Sequence, residues 1–480
     1  MDLDERKKTR IIVVDLDGTL VDTDMLVENV FLFLRRYPLR ILVLIAWLFK
    51  GKVYFKRRLA DTIMPDVVCL PYNQIILNWL KQQRADGAKL ILATASDFRI
   101  ANNVYKYVGI FDEVIGTKES NISSSNKRAK LVQLYGERGY EYLGNSMADL
   151  AVWETASAIH IANPERGVLV AARKIGKVEM VFEDKPSYFP TLIKAMRIHQ
   201  WAKNLLLFVP LLASHRIMEI PLLCRGLLGF IAFGACASSV YLLNDLLDLQ
   251  DDRRHPSKYK RPLAAGNIPI FHALVLIPIL LICALVVAFW VLPIRFAGVL
   301  AAYYLLTLAY SLWLKRVVML DVVTLSLLYA IRVVAGAMAV ELLPTFWMLT
   351  FCMFIFLSLA FVKRYTELRV ALSNGTNEKI AGRGYLPEDF ELLASLGGAS
   401  GYISVLVLAL YVNDATTGSL YRSPMWLWAS CPLVLFWISR VWLLAHRGDM
   451  HEDPIVFALR DNVSLWVGIV CVVLFVLGTF

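Results

Sequence analysis

The sequence predicts a two-part protein: an α/β domain with a parallel sheet and a helical cap over residues 1–185, and an all-α membrane domain of about nine transmembrane helices over 186–480. Three observations predict it. Of 480 residues, 58% are hydrophobic and only 19% charged, with mean hydropathy +0.55; a soluble globular chain averages about 45–50% apolar and 25% charged. Up to residue 185, short β-branched runs ending in loop residues alternate with helical stretches, which is the βαβ pattern. From 198 onward, long apolar runs follow one another, most of them near the roughly 20 residues that a helix needs to cross a bilayer.

The N-terminus is charged and leads into IIVVDLDGTL (11–20). Acidic residues stand where a signal peptide would need its apolar core, so no cleaved targeting segment is expected. That run reads as a buried strand, because its β-branched residues stop at Asp-Leu-Asp-Gly-Thr. AKLILATAS (88–96), EYLGNSMADL (141–150) and IHIANPE (159–165) read as three more strands, each passing into polar or small residues. Ligands of a parallel sheet sit beyond the carboxyl ends of its strands, and Asp15, Asp17, Thr94, Asn145 and Asp149 all fall there. An insertion at about 22–85 reads as the cap. Within it, LRILVLIAWLF (39–49) is too short to span a bilayer, and its flanks carry Arg35, Arg36, Arg40, Lys50, Lys52, Lys56, Arg57 and Arg58. Basic flanks on an apolar helix suit a cap lying on the membrane surface; a helix buried in the cap core is the alternative. Residues 164–188 read as a linker.

Nine apolar segments are expected at about 202–214, 222–243, 270–292, 296–314, 317–341, 345–362, 391–412, 424–445 and 461–480. Lys and Arg crowd the loops 244–269 and 363–390 and the turn at Lys315–Arg316, while the alternate loops offer little beyond Arg216, Arg295 and Arg422. The positive-inside rule places the basic loops and the N-terminal domain on the cytoplasmic side of a multi-pass cytoplasmic membrane protein. Polar residues at membrane depth are costly and so tend to be functional. Asp321 and Arg332 share a face of the fifth segment, Lys363, Arg364 and Glu367 close the sixth, and Arg197, Gln200, Lys203 and Asn204 open the first. Together they suggest a polar cavity open to the cytoplasm. The net charge of +10 points to basic loops and anionic phosphate substrates before nucleic acid. The seven cysteines show no CxxC and no paired histidines, so neither a disulfide framework nor a zinc site is implied.

The second apolar segment runs into YLLNDLLDLQDDRRHPSKYKRPLAAG (241–266). On a helix, Asn244, Asp245, Asp248 and Asp252 fall within about 100° of arc. Carboxylates crowded on one face repel unless they share a cation, and oxygen ligands of this kind suit Mg²⁺, which keeps part of its shell for substrate phosphate. A solvated acidic helix end is the bland alternative.

The first domain resembles the haloacid dehalogenase phosphohydrolases. DLDGT matches their first motif, Thr94 their second, Lys127 (with Lys130 behind it) their third, and GNSMAD their fourth. The resemblance implies Asp15 as nucleophile, Asp17 as general acid/base, Thr94 and Lys127 on the phosphate, and Mg²⁺ on Asp15, Asp17, Asn145 and Asp149. Asn145 stands where the family generally has an aspartate, so weaker metal binding is expected, and a purely structural domain is the alternative.

NDxxDxxxD after the second segment, with RxxQWxKN at the first, resembles the UbiA superfamily of intramembrane prenyltransferases. The second Asp-rich motif of many members is replaced here by KRYTELRVALSNGTNEKIAGRGY (363–385). With RRHPSKYKRPLAAG and YSLWLKR (310–316), this is similar to the branch of decaprenyl-phosphate phosphoribosyltransferases. The resemblance implies Mg²⁺-dependent transfer of phosphoribose from phosphoribosyl pyrophosphate to a polyprenyl phosphate, with the phosphatase domain removing the ribose 5-phosphate. It implies a diphosphate site at Asp245, Asp248 and Asp252, and substrate contacts from Lys203, Asn204, Asn244, Lys258, Arg261, Tyr310, Lys315, Arg332, Lys363, Arg364, Glu367, Arg383 and Tyr385. Partners expected are the lipid phosphate, the pyrophosphorylated sugar and the membrane, with no nucleic acid and a homo-oligomer left open. The alternative is an aromatic prenyltransferase that uses a prenyl diphosphate.

Overall fold

The structure, a computed structural model, describes residues 10–118, 121–255, 257–373, 384–414, 421–450 and 453–479. Contacts divide the chain into two compact units, Met1–Met196 with Tyr241–Leu276, and Arg197–Val240 with Ile277–Phe480. The Asp-rich segment thus lies in the same compact unit as the α/β fold.

The first unit holds a six-stranded, all-parallel sheet of β1 (Ile11–Val14), β2 (Lys89–Asp97), β3 (Glu113–Thr117), β4 (Glu141–Gly144), β5 (Ile159–Ala162) and β6 (Val178–Phe182), in the order β3-β2-β1-β4-β5-β6. Side chains alternate between faces along a strand. Ile12, Val14, Leu90 and Leu92 therefore enter one core, and Val13, Ile91 and Ala93 the other. Both faces are covered, which is why β1 reads as an unbroken apolar run. β1 lies between β2 and β4, so its carboxyl end meets theirs.

The cap opens with α1 (Met25–Arg36), whose start is capped by Asp24 Oδ1 accepting from the Leu26 and Val27 amides. α2 (Ile41–Phe49) and α3 (Lys52–Thr62) follow, and Phe33, Leu44, Phe55 and Leu59 form a small core beneath them. α2 buries only Leu44; Leu42 is 73% and Phe49 88% exposed. The cap core claims one edge of the apolar helix and leaves the rest uncovered within the unit.

In the second unit and the helix leading out of it, eight helices are long and apolar enough to cross a membrane, among the described residues: Ile220–Leu247, Ile270–Trp290, Ile294–Leu312, Leu320–Ala339, Phe346–Val370, Pro387–Val412, Met425–Arg447 and Asn462–Thr479. The chain is thus multi-pass by length and composition. The count of nine is corrected by the first expected segment, 202–214. It folds as a 3₁₀ helix, Ile198–Phe208, and a short α-helix, Val209–Ala213, with Pro210 in its first turn. At about 1.5–2.0 Å rise per residue the thirteen residues 202–214 span about 20–26 Å, short of the roughly 30 Å apolar core.

Candidate active sites

At the carboxyl ends of β1, β2 and β4 the expected phosphatase residues come together. Lys127 Nζ lies 2.9 Å from Asp15 Oδ1 and donates to Tyr142 Oη at 2.8 Å. Asp17 Oδ2 accepts from Ser96 Oγ (2.7 Å) and Thr94 Oγ1 (3.2 Å), and its Oδ1 from the Met25 amide (2.8 Å). Burial, reinforced by Asp149 and Asp17, pushes the Asp15 carboxyl up to about 7 against the pull of Lys127. Burial and then Asp24 push Asp17 up to about 6. Burial would lower the Lys127 ammonium, but Asp15 and Asp149 carry it above its ordinary value. A carboxyl near 6 suits a group that gives and takes a proton at neutral pH.

The family's metal position fits in part. Two buried carboxylates whose charged forms are disfavoured make a site short of positive charge, which a cation would relieve. Asn145 lies against Gly18, where a Cβ would meet its Nδ2 at 2.3 Å, so its side chain faces the first-motif loop. Asp149, the fourth-motif carboxylate, is held largely by its own loop. Its Oδ1 accepts from Tyr142 Oη, and its Oδ2 from the Asn145 and Ser146 amides and Ser146 Oγ. These donors make it the clasp of the fourth-motif loop. From the cap, Lys56 Nζ donates to Ala95 O (2.7 Å) and Asn121 Oδ1 (2.9 Å), beside Thr94; burial lowers its ordinary value. Tyr142, Ser96 and Lys56 went unread in the sequence. Tyr142 is an ordinary strand aromatic there, and Lys56 is one of a run of basic residues. Lys130, the runner-up for the third motif, is exposed, whereas Lys127 is buried.

The Asp-rich segment is the second cluster of this unit. The long helix ends at Leu247, Asp248 caps the short helix Leu249–Arg254, and the Asp248 and Asp252 amides still donate back to Asn244 O and Asp248 O, both at 2.9 Å. The helical turn thus persists through the junction. Arg261 Nη1 bridges Asp245 Oδ1 (3.2 Å) and Asp252 Oδ2, so the two carboxylates share a face as the spacing predicts. Asn244 Oδ1 is buried and has no hydrogen-bond partner among the described residues. Oxygen donors of this kind, an amide and carboxylates spaced along one helical face, are of the type that Mg²⁺ takes. Lys258, expected on the diphosphate, lies in the turn Lys258–Lys260; Arg261 is the cation that meets the carboxylates.

In the second unit, Lys203 Nζ (2.8 Å) and Lys363 Nζ (2.9 Å) both meet Asp453 Oδ2, and Tyr329 Oη donates to both oxygens at 3.0 and 2.9 Å. Asp453 was missed: in HEDP it looks like a solvated loop acid, and only the fold carries two lysines to it. Arg364 is directed elsewhere, to Asp321, Glu367 (2.6 Å) and Tyr310 Oη (2.7 Å), and Tyr385 Oη also donates to Asp321. Arg332 donates to Asn204 Oδ1 (3.2 Å) and Tyr303 Oη (3.3 Å). Asp321 and Arg332 therefore share a helix but serve separate networks. Lys315 lies in the short turn Leu314–Arg316 after the Ile294–Leu312 helix. Arg383 falls outside the described residues. An apolar cavity of about 420 Å³ in this unit is lined by Trp347, Phe351, Leu408 and Phe475 among others.

The sequence profile described as the UbiA prenyltransferase family matches residues 205–468. An uncharacterized protein y4nM of Sinorhizobium fredii is 35% identical over all of this chain and 93% of its own length. Nodulation protein NoeC of Azorhizobium caulinodans is 36% identical over 60% of this chain and 92% of its own. Decaprenyl-phosphate phosphoribosyltransferase of Mycolicibacterium smegmatis is 31% identical over 58% of this chain and 90% of its own. The N-terminal part resembles a substrate-bound phosphoserine phosphatase in fold, at 12% identity and TM-score 0.27, over 37% of this chain and 95% of that one.

Proposed function

The chain belongs to the UbiA prenyltransferase family, and from that premise we propose that it transfers phosphoribose from phosphoribosyl pyrophosphate to a polyprenyl phosphate, its α/β unit then removing the ribose 5-phosphate. The observation that carries this reading is the convergence of Lys203, Lys363 and Tyr329 on Asp453. Two ammonium groups around one carboxylate leave a net positive charge suited to a phosphate monoester, which needs no metal bridge. The decaprenyl-phosphate relative supports the same substrate class.

In the proposed reaction an ionised lipid phosphate oxygen, held by Lys203 and Lys363, attacks ribose C1. The C1–O bond to diphosphate breaks and its electron pair leaves with the diphosphate. Mg²⁺, held by Asp245, Asp248 and Asp252 with Asn244 Oδ1, supplies charge neutralisation to that leaving group. Arg261, displaced from the carboxylates it bridges, adds a permanent positive charge. The apolar cavity takes part of the isoprenoid tail. In the α/β unit Asp15 attacks the 5-phosphate, forming an aspartyl phosphate as Asp17 protonates the leaving ribose oxygen; water, giving its proton to Asp17, then cleaves the aspartyl phosphate and releases phosphate, while Lys127, Thr94 and the cap's Lys56 hold the phosphoryl group. Asn145 and Asp15 would hold the Mg²⁺ there. The basic loops put the active sites on the cytoplasmic side of the cytoplasmic membrane, and the exposed apolar face of α2, flanked by lysines and arginines, rests on its surface.

Mass spectrometry of the lipid formed by the purified protein from phosphoribosyl pyrophosphate, polyprenyl phosphate and Mg²⁺ tests both steps. The expected product is polyprenyl-phosphoryl ribose, and Asp15→Asn should stop at the 5-phosphorylated form. A prenylated 4-hydroxybenzoate formed from prenyl diphosphate, with no ribosylated lipid, would replace this reading with aromatic prenyl transfer.

A further inference from the structure

The Asp-rich segment is docked on the phosphatase cap, and the cap contributes charge to it. Arg253 Nη1 meets Glu28 Oε1 of α1 at 2.6 Å with both side chains buried, and Arg253 Nε donates to Ala264 O at 2.9 Å. Arg254 pairs with Asp66. At Gly266 (φ +72°) a Cβ would lie 2.4 Å from Asp22 O, so the returning strand of the segment lies backbone to backbone on the cap's root. Two turns beyond Glu28, at the end of α1, Arg35 pairs with Asp251 and its Nε lies 3.8 Å from Asp248 Oδ1, the middle carboxylate of NDxxDxxxD.

We propose that Arg35, a residue of the phosphatase cap, is a binding residue of the diphosphate site formed by Asp245, Asp248 and Asp252. The proposal rests on the transferase reading above and names a part of its site that lies outside the membrane domain. Three points separate Arg35 from a docking residue. The buried Arg253–Glu28 pair and the Gly266 contact already fix the segment, whereas exposed ion pairs add little to stability. Arg35 and Asp248 are each about a quarter exposed, with side chains at 26% and 29%, so the pair opens to a ligand. Without a metal each of the three carboxylates has a guanidinium beside it, Arg261 for Asp245 and Asp252, and Arg35 for Asp248. The carboxylates would hold Mg²⁺ when it is bound, and both guanidinium groups would then be free to turn to substrate phosphate oxygens, whose geometry a planar fork matches.

The same helix bears on the other site. The Met25 amide at the start of α1 donates to Asp17, and Arg35 stands ten residues on, about 15 Å along the axis. One rigid rod therefore carries a contact to the phosphatase acid at one end and the proposed diphosphate ligand at the other.

Calorimetric titration of the full-length protein in nanodiscs with inorganic pyrophosphate and Mg²⁺ tests the assignment. Arg35→Gln should weaken binding about tenfold and Arg35→Lys less, as expected for a charge-assisted hydrogen bond. Arg36→Gln, the same charge change one residue along, should bind as wild type. In transfer assays Arg35→Gln should raise KM for phosphoribosyl pyrophosphate and leave KM for polyprenyl phosphate unmoved, a split that loss of docking would not produce. If Arg35→Gln binds pyrophosphate like wild type while Asp248→Asn has lost it, Arg35 lies outside the site and the proposal falls alone. If wild type and Asp248→Asn bind alike, the Asp-rich segment is no diphosphate site, and the transferase reading falls with the proposal.

Discussion

The α/β unit carries two clusters of carboxylates that solve the same repulsion in opposite ways. At the ends of β1 and β4, Asp15, Asp17 and Asp149 are buried around one lysine, and hydroxyls and amides do most of the holding. Charge there is undersupplied, so Asp15 rises to about 7 and Asp17 to about 6. At the Asp-rich segment, guanidinium groups lie beside the carboxylates and one amide oxygen is left over. In the proposed mechanism a cation at the first site would fill a deficit, and one at the second would exchange with the arginines beside the carboxylates. At the sheet end the counter-charge beside Asp15 is a single buried lysine, whereas the Asp-rich segment draws one guanidinium from its own basic turn and one from α1.

The largest test of that contrast is separation of the two chemistries. Asp15→Asn should cut release of the ribose 5-phosphate by at least about a thousandfold and leave ribosyl transfer intact, while Asp245→Asn should do the reverse, both read by mass spectrometry of the lipid product. Loss of both activities from either substitution would break the division.

Glu28→Ala leaves Arg253 buried without its carboxylate, and Arg253 Nη2 already lacks a partner among the described residues. Removing one member of a buried pair costs about 3–5 kcal/mol. Hydrogen exchange over residues 241–276 should accelerate accordingly while the amides of β1 and β4 keep their protection. Unchanged exchange in the segment would mean that the cap does not hold it.

Gly266→Ala forces a side chain into a positive-φ position against Asp22, a strain of about 1–3 kcal/mol. It should weaken transfer without altering hydrolysis of a small soluble phosphate ester, followed in parallel assays. The smallest effect is expected far from both sites. Glu141 meets His160 at 2.8 Å and Arg10 at 2.7 Å; burial alone would raise its carboxyl, but these partners hold it at about 2, below its ordinary 4.5. A depressed carboxyl stabilises the fold above its unfolded value and loses that contribution as pH falls from about 4.5 toward 2. Discounted for solvent, Glu141→Gln should cost on the order of 1–2 kcal/mol at pH 7 and almost nothing near pH 2. Comparing β4 amide exchange in variant and wild type at each pH reads it; an equal cost at both ends would point to packing instead of charge.

Much of this was legible in the chain because the signals are local. The run Ile11–Val14 closing on Asp15, the switch from period-2 runs to long apolar helices, and the four-residue spacing of Asn244, Asp248 and Asp252, which persists across the junction of two helices, each state a local backbone geometry. The 202–214 segment misled because its apolar composition hides a proline and a polar 3₁₀ turn. The donors around Asp149 were not legible, because which groups a carboxylate accepts from depends on how its loop folds.

By itself, the sequence determined the two fold classes, the carboxylates at a strand's end and the position of the Asp-rich segment, all of them consequences of local residue spacing. The tertiary structure alone decided which charges meet. Asp453 gathers lysines from 250 and 90 residues away in the chain, and Glu28 and Arg35 reach across more than 200 residues to the Asp-rich segment. Counter-charges at such separations leave no periodicity in the sequence, because only burial, by removing water as their alternative partner, selects one pairing from the many that the composition allows.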